Sequence, residues 1–217
     1  MTWDPFGTLG KAFWIGGGQW AGKSTVARIL AIHYGLTAYH YDYHDARGHH
    51  DRRIALRVRS GKPHADPDPE LVWVDTTPEK MAAQALGGFP DRFEWVLDDL
   101  RALVSPRPVV AEGWGLRPEL VVPIVDSTRR MVVMVPTEEF RQHQLRRLPR
   151  AFTFSHEVSD PGRAQRNRIA RDRLVADDAV RSARRRDIPV IEVDGSRDAE
   201  ATAMLVAEHF GLATTLS

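Results

Sequence analysis

Short, predominantly apolar runs alternate along this chain with longer stretches whose apolar residues recur every three or four positions. The runs are Ala12-Phe13-Trp14-Ile15, Pro108-Val109-Val110-Ala111, the segment from Arg130 to Val135, and Val190-Ile191-Glu192-Val193. Continuous apolarity over so few residues predicts strands covered on both faces, the habit of a parallel sheet. Between the runs, Val26, Ile29 and Leu30 predict a helix that stops at Gly35, where a left-handed cap residue is wanted. Thr76-Thr77-Pro78-Glu79 has the form of a helix start, and Phe93, Val96, Leu97, Leu100 and Leu103 continue at helical spacing. Further helices are predicted over Thr137–Arg147, Gln165–Arg186 (inner face Ile169, Ala176, Val180 and Ala183) and Ala199–Phe210. Thr37 to His44 alternates, with Tyr39, Tyr41 and Tyr43 on one side, and predicts a strand. The stretch 45–77 is polar and broken by Asp66-Pro67-Asp68-Pro69; it is too long for an ordinary connection and suits the shaping of a binding site. Segment 148–162, with Pro149, Pro161 and Gly162, predicts a loop. Strands alternating with helices predict a doubly wound α/β fold.

One glycine-rich stretch joins the first strand to the first long helix. Gly17-Gly18-Gln19-Trp20-Ala21-Gly22-Lys23-Ser24-Thr25 fits G-x-x-x-x-G-K-[ST], the phosphate-binding loop known as Walker A. The chemistry needs this strand–loop–helix setting. Glycines let successive amide N–H groups converge on one anion, and the helix N-terminus adds partial positive charge. Lys23 is expected to reach the β- and γ-phosphates of ATP, and the Ser24 hydroxyl to bind Mg²⁺. Trp20 is bulky for its place: it either packs under the loop or narrows the mouth of the site.

Composition changes this picture in three ways. The 217 residues, 42% of them hydrophobic, are enough for a single domain with a sizeable core. Cysteine is absent, which excludes disulfides, thiolate metal sites and thiol catalysis. With no apolar run of membrane-spanning length and no basic-then-apolar leader pattern, a cytoplasmic protein, away from membranes, is expected. The formal net charge of +1 conceals an asymmetry: residues 141–186 hold 13 Arg, no Lys and five acids, a segment of +8 against −7 for the remainder. Arginine suits fork-like phosphate contacts.

With the loop, Asp42 after the second strand, Glu112-Gly113 after the third, the arginine-rich segment and Val193-Asp194-Gly195-Ser196 in view, the chain resembles the P-loop small-molecule kinases. That group includes adenylate, shikimate, gluconate and chloramphenicol kinases. The resemblance implies a P-loop NTPase three-layer fold with a five-stranded parallel sheet in the order 2-3-1-4-5. It implies an acceptor-binding region near 43–77 and a lid near 148–165. It places Glu112 near Mg²⁺, Gly195 and Ser196 beside the adenine ring, and Arg147, Arg163, Arg166 and Arg171 among the lid arginines that cover the transferring group. Arg163 and Arg166 are the ones assigned to catalysis, and Arg147 to nucleotide binding.

Asp42 departs from the adenylate kinase pattern and favours a hydroxyl acceptor. A carboxylate there can take the proton of an attacking hydroxyl, at the sheet end where open α/β folds bind ligands; Asp45 is the fallback. Trp114 is a candidate pocket wall. Arg52, Arg53, Arg57 and Arg59 could recognise an anionic acceptor or form the solvent side of a helix. The expectation is an ATP-dependent kinase using Mg²⁺ and a small-molecule hydroxyl acceptor, as monomer or homodimer. A nucleotide or polynucleotide kinase is an alternative, disfavoured by the lack of aromatic–basic interleaving. A nucleotide-binding switch with slow hydrolysis is another, although no Asn-Lys-x-Asp segment is present. A zinc site from His40, Asp42, His44, His49 and His50 is a further, weaker reading.

Overall fold

Each apolar run becomes a strand in the computed structural model, which describes residues 3–148, 154 and 156–212. The strands are β1 (Phe13–Gly17), β2 (Thr37–His40), β3 (Val109–Glu112), β4 (Met131–Pro136) and β5 (Val190–Val193). They form one parallel sheet in the order β2-β3-β1-β4-β5. β1, β3 and β4 are buried along their whole length, as their unbroken apolarity requires. Among the described residues the α-helices are α1 (Thr8–Lys11), α2 (Lys23–Tyr34), α3 (Tyr41–Asp45), α4 (Gly48–Arg59), α5 (Pro78–Ala102), α6 (Pro118–Val121), α7 (Glu138–Arg147), α8 (Pro161–Arg184) and α9 (Ala199–Phe210), and Glu70–Asp75 is a π-helical stretch.

The sheet divides the core in two. On one face Trp14, Val109, Met131 and Val133 meet Phe93, Val96 and Leu100 of α5 and Ala176, Ala179 and Ala183 of α8. On the other, Ile15, Val110, Val132 and Met134 meet Val26 and Leu30 of α2 and Val206 and Phe210 of α9. Large side chains buried this way each contribute roughly 1.5–3 kcal/mol relative to exposure. Several ends follow the expected chemistry. Thr77 accepts from Lys80 N–H at the head of α5, Thr137 from Phe140 N–H at the head of α7, and Gly35 closes α2 at φ +64°.

Three expectations need correction. β2 stops at His40 rather than His44, because its partner β3 stops opposite it: His40 pairs with Glu112, and the next residue, Gly113, turns to donate its N–H to Ile15 O (3.1 Å). With no edge left to pair, Tyr41–Asp45 coils, burying Tyr41 at 0% exposure and leaving Tyr43 66% exposed. The polar stretch expected to be irregular contains α4, which buries only His49 and so lacks an apolar stripe. Asp51 in its first turn and Arg57 and Arg59 in its last instead complement the helix dipole. α8 begins at Pro161, inside the expected loop and lid: Asp160 caps Arg163 N–H (2.8 Å) and Pro161 fills the first helical position.

Asp99 of α5 ties these pieces together. Its carboxylate accepts from Tyr39 OH (2.8 Å), pairs with His49 Nε2 (2.8 Å) and faces His44 Nδ1 (3.3 Å). Burial, then the Asp99 hydrogen bond, holds the Tyr39 hydroxyl protonated, its pKa far above the ordinary value. Burial lowers that of His44. Replacing Asp99 with Ala strands two buried polar groups, at about 1–3 kcal/mol each. The variant is expected to lose about 2–4 kcal/mol in urea unfolding followed by circular dichroism; a midpoint equal to that of the parent would remove this role.

Candidate active site

The site starts where β1 ends. Gly17 takes φ +115°, and a Cβ there would lie 2.1 Å from the Met134 carbonyl oxygen of β4. Only glycine fits between the two strands. Gly18 N–H then donates to the same oxygen (2.9 Å), and the chain arches away until Gly22, at φ +76°, caps α2. α2 starts at Lys23, so the first-turn amides of Lys23, Ser24 and Thr25 head the helix where its dipole is positive.

Gln19 through Thr25 line a cavity of about 580 Å³. Asp42 stands in its wall, and Phe140, Arg147, Gly195 and Arg197 close the far side. Lys23 is buried (5% exposed), its Nζ donating to Gly18 O at 2.6 Å. Gln19 Nε2 donates to Asp42 Oδ2 (3.2 Å). The Asp42 carboxyl is reached by water from the cavity yet surrounded by protein. That crowding pushes its pKa above the ordinary 3.8; Lys23 draws it back and Glu112 adds to the rise. Asp172 of α8 is 6% exposed and its pKa is likewise raised by burial. Arg171 opposes that shift, binding Asp172 Oδ1 through Nε (2.9 Å) and Nη2 (2.7 Å), and Lys23 opposes it at longer range. Two elements, α3 and α8, thus bring carboxylates into the field of one buried lysine.

Glu112 is buried at the end of β3 and pairs with His40 Nδ1 at 2.9 Å. Gly113, at φ +154°, is needed there: a Cβ would stand 2.4 Å from that of Tyr41. Ser24 is exposed at the head of α2. Trp20, in left-handed backbone at φ +72°, is buried at 5% exposure and contributes to the cavity wall. Ser196 is outside the cavity lining and donates N–H and Oγ to Asp194 Oδ1 (2.9 and 2.6 Å), closing the turn that presents Gly195.

Not all the arginines converge. Arg147 is in the cavity wall, beside His143 (3.2 Å). Arg163 and Arg166 are exposed on the first turns of α8 and are not in that wall. Arg171 lines a second cavity, of about 640 Å³, where it lies over the rings of Trp73 (5.3 Å) and Trp114 (5.0 Å). Of the expected lid, 149–153 and 155 lie outside the described residues, Pro149 and Phe152 among them. Of its described part, Leu148 lines the first cavity, while Phe154 and His156 pack on Trp73 and Ser159 N–H donates to Glu70 (2.8 Å) on the second cavity's side, where Asn167 Nδ2, just beyond, donates to Trp73 O (3.0 Å).

The histidines go to separate carboxylates: His40 to Glu112, His44 and His49 to Asp99, His50 to Asp66. Among the described residues, no group of three or more His, Asp or Glu is placed to hold a metal ion. Also among them, no helix is long and apolar enough to cross a membrane.

Sequence reasoning missed Arg197, Phe140 and Asp198 in the first cavity, and Trp73, Trp95 and Arg92 in the second. None sits in a motif. A weak signal existed for Trp73, an aromatic in an otherwise polar stretch.

No family model matches the sequence, and no curated protein matches it significantly. Among solved structures, the Thermus thermophilus protein TT1252 is similar at 20% identity and a TM-score of 0.52, over 91% of this chain and 96% of that one. A shikimate kinase from Acinetobacter baumannii, solved with shikimate, is similar at 19% identity and a TM-score of 0.46, over 97% and 98% of the two chains. One from Aquifex aeolicus is similar at 18% and 0.42, over 92% and 96%. The likeness is one of fold. With the sheet order and the loop between β1 and α2, this is a P-loop fold.

The His40–Glu112 pair carries a pH signature. The hydrogen bond that His40 donates to the Glu112 carboxylate raises the His40 pKa above the ordinary 6.5, against the lowering effect of burial. The protonated imidazole is therefore favoured in the folded state, and the pair's stabilisation is complete below the unfolded value and lost as pH rises through the folded one. An NMR titration of His40 is expected to give a midpoint above 6.5 that falls in Glu112→Gln. A midpoint indifferent to that substitution would show that the pair is not coupled.

Proposed function

We propose that this protein transfers the γ-phosphoryl group of ATP to a hydroxyl of a small molecule. One observation carries this: the loop lysine and the carboxylate at the head of α3 line a single cavity, with Gln19 of the loop bonded to that carboxylate. A nucleotide-binding protein needs the lysine. A transferase also needs a group that can hold and deprotonate an acceptor, and Asp42 is placed for it.

Phosphoryl transfer asks the protein for charge neutralisation and alignment. The amides of 18–24 and the ammonium of Lys23 hold the β- and γ-phosphates; to do so Lys23 exchanges its bond to Gly18 O for phosphate oxygens. Arg147 and Gly195 border the nucleoside end of the same cavity. The hard oxygens of Ser24 and Glu112 fit Mg²⁺, which keeps much of its water shell and asks for few protein ligands; when bound, it neutralises charge on the phosphate oxygens. Asp42 accepts the hydroxyl proton as the acceptor oxygen bonds to the γ-phosphorus and the bond to the bridging oxygen of ADP breaks. The raised pKa of Asp42 makes it a better proton acceptor than an ordinary carboxylate. Arg163 and Arg166 serve transfer only if the head of α8 moves, since in this conformation they stand outside the wall.

Calorimetry with MgATP and a coupled ADP-release assay test the proposal. Lys23→Ala is expected to lose nucleotide binding. Asp42→Asn is expected to bind MgATP as before while transfer falls roughly 10²–10⁴-fold; undiminished transfer would end the assignment of Asp42 as base. Stability should move the other way. A folded pKa above the unfolded value means the ionised carboxyl costs stability once pH exceeds both. Asp42→Asn is therefore expected to melt at a higher temperature than the parent at pH 7, with the difference vanishing as pH falls toward 3.8.

A further inference from the structure

Resting on that phosphotransferase reading, we infer that the acceptor is an uncharged, ring-bearing alcohol held by stacking in the second cavity. The two cavities share α3: Asp42 lines the first and Asp45 the second, three residues apart on one helical turn. A molecule seated in the second cavity therefore lies on the side of the turn next to the base.

Three indoles reach this cavity from three different elements: Trp73 from the π-helical stretch, Trp95 from α5 and Trp114 from the turn after β3. π-Helical segments cost backbone regularity and are frequent at functional sites. The arginines around them, and Asp45, are already matched. Asp45 binds Arg53 Nη1 (2.6 Å) and faces Arg92 Nη1 (3.5 Å). Arg92 also donates to Ala85 O (2.8 Å) and Gly88 O (2.9 Å), and Arg171 holds Asp172. An anionic acceptor finds each of these guanidinium groups committed to a carboxylate or carbonyl, and would have to break those bonds. What the wall offers without such a cost is aliphatic surface and the portions of the three indole faces that Arg171 and the neighbouring rings leave toward the cavity.

Those faces already accept a flat group. The planar Arg171 guanidinium lies over both Trp73 and Trp114, so their spacing suits flat partners. A cavity of about 640 Å³ accommodates one ring system with its substituents rather than a polymer. Exposed Asp91 and the Gln84 amide are available to hydrogen-bond further hydroxyls.

The test uses the full chain with 5-fluorotryptophan, each ¹⁹F signal assigned by single Trp→Phe variants. Three probes are matched: 4-methylbenzyl alcohol as the neutral ring, 4-(hydroxymethyl)benzoate as its anionic counterpart, and butane-1,4-diol as the acyclic alcohol. At millimolar concentration the neutral ring is expected to move the signals of Trp73, Trp95 and Trp114 and the other two to leave them in place. Trp114→Leu should weaken that binding about tenfold, from the loss of one stacking face. Stronger response to the anion or the diol, or no response to the neutral ring, overturns the inference. MgATP is titrated into the same sample and read at Trp20, in the other cavity. A Trp20 response with silent indoles in the second cavity sinks the ring acceptor alone. Responding indoles without any nucleotide response sink the phosphotransferase reading instead.

Discussion

Everything in the site hangs on how closely β1 approaches β4 at Gly17. The backbone there is so near the Met134 carbonyl that no side chain fits. That approach lets Gly18 bond to the same oxygen, and the bond sets the direction in which the loop leaves the sheet. α2 then starts with its amides and Lys23 at the cavity rather than beyond it. The glycines are thus conditions of geometry first and of phosphate access second.

The lysine so placed sits in a field made by distant parts of the chain. Asp42 comes from the turn after β2 and Asp172 from α8, both with carboxyls driven up by burial and drawn down by Lys23. Glu112, from β3, adds to the rise at Asp42 and is itself tied to His40. Carboxylates crowded this way are poor stabilisers and good proton acceptors. Their placement makes sense where a phosphate-bearing substrate brings further charge to be balanced and a hydroxyl brings a proton to be removed.

The second cavity is built differently. Its arginines are committed to carboxylates and carbonyls, and three tryptophans stand in its wall. α8 joins the two halves: Asp172 looks toward Lys23 while its neighbour Arg171 holds two tryptophans. Phe154 and His156 pack on one of those tryptophans. Displacing that segment and filling the second cavity would therefore involve the same side chain.

Much of the fold was legible in the chain. Apolar runs mark β1, β3 and β4, which are covered on both faces, and a shorter run interrupted by Glu192 marks the edge strand β5. The ends of α2, α5, α7 and α9 carry local capping chemistry, and the phosphate loop is written in contiguous residues. β2 and α4 were misread for the same reason: neither ending is decided locally. β2 stops because β3 has stopped, and α4 lacks the apolar stripe that would announce it. The loop, the core strands and the charge asymmetry are written in residue order, since each is a property of neighbours along the chain. Packing of distant segments put Asp42 in a cavity with Lys23, Arg171 in the other one, and three tryptophans far apart in sequence in one wall. Contacts between distant elements follow from how the sheet and helices pack, and no local pattern encodes them.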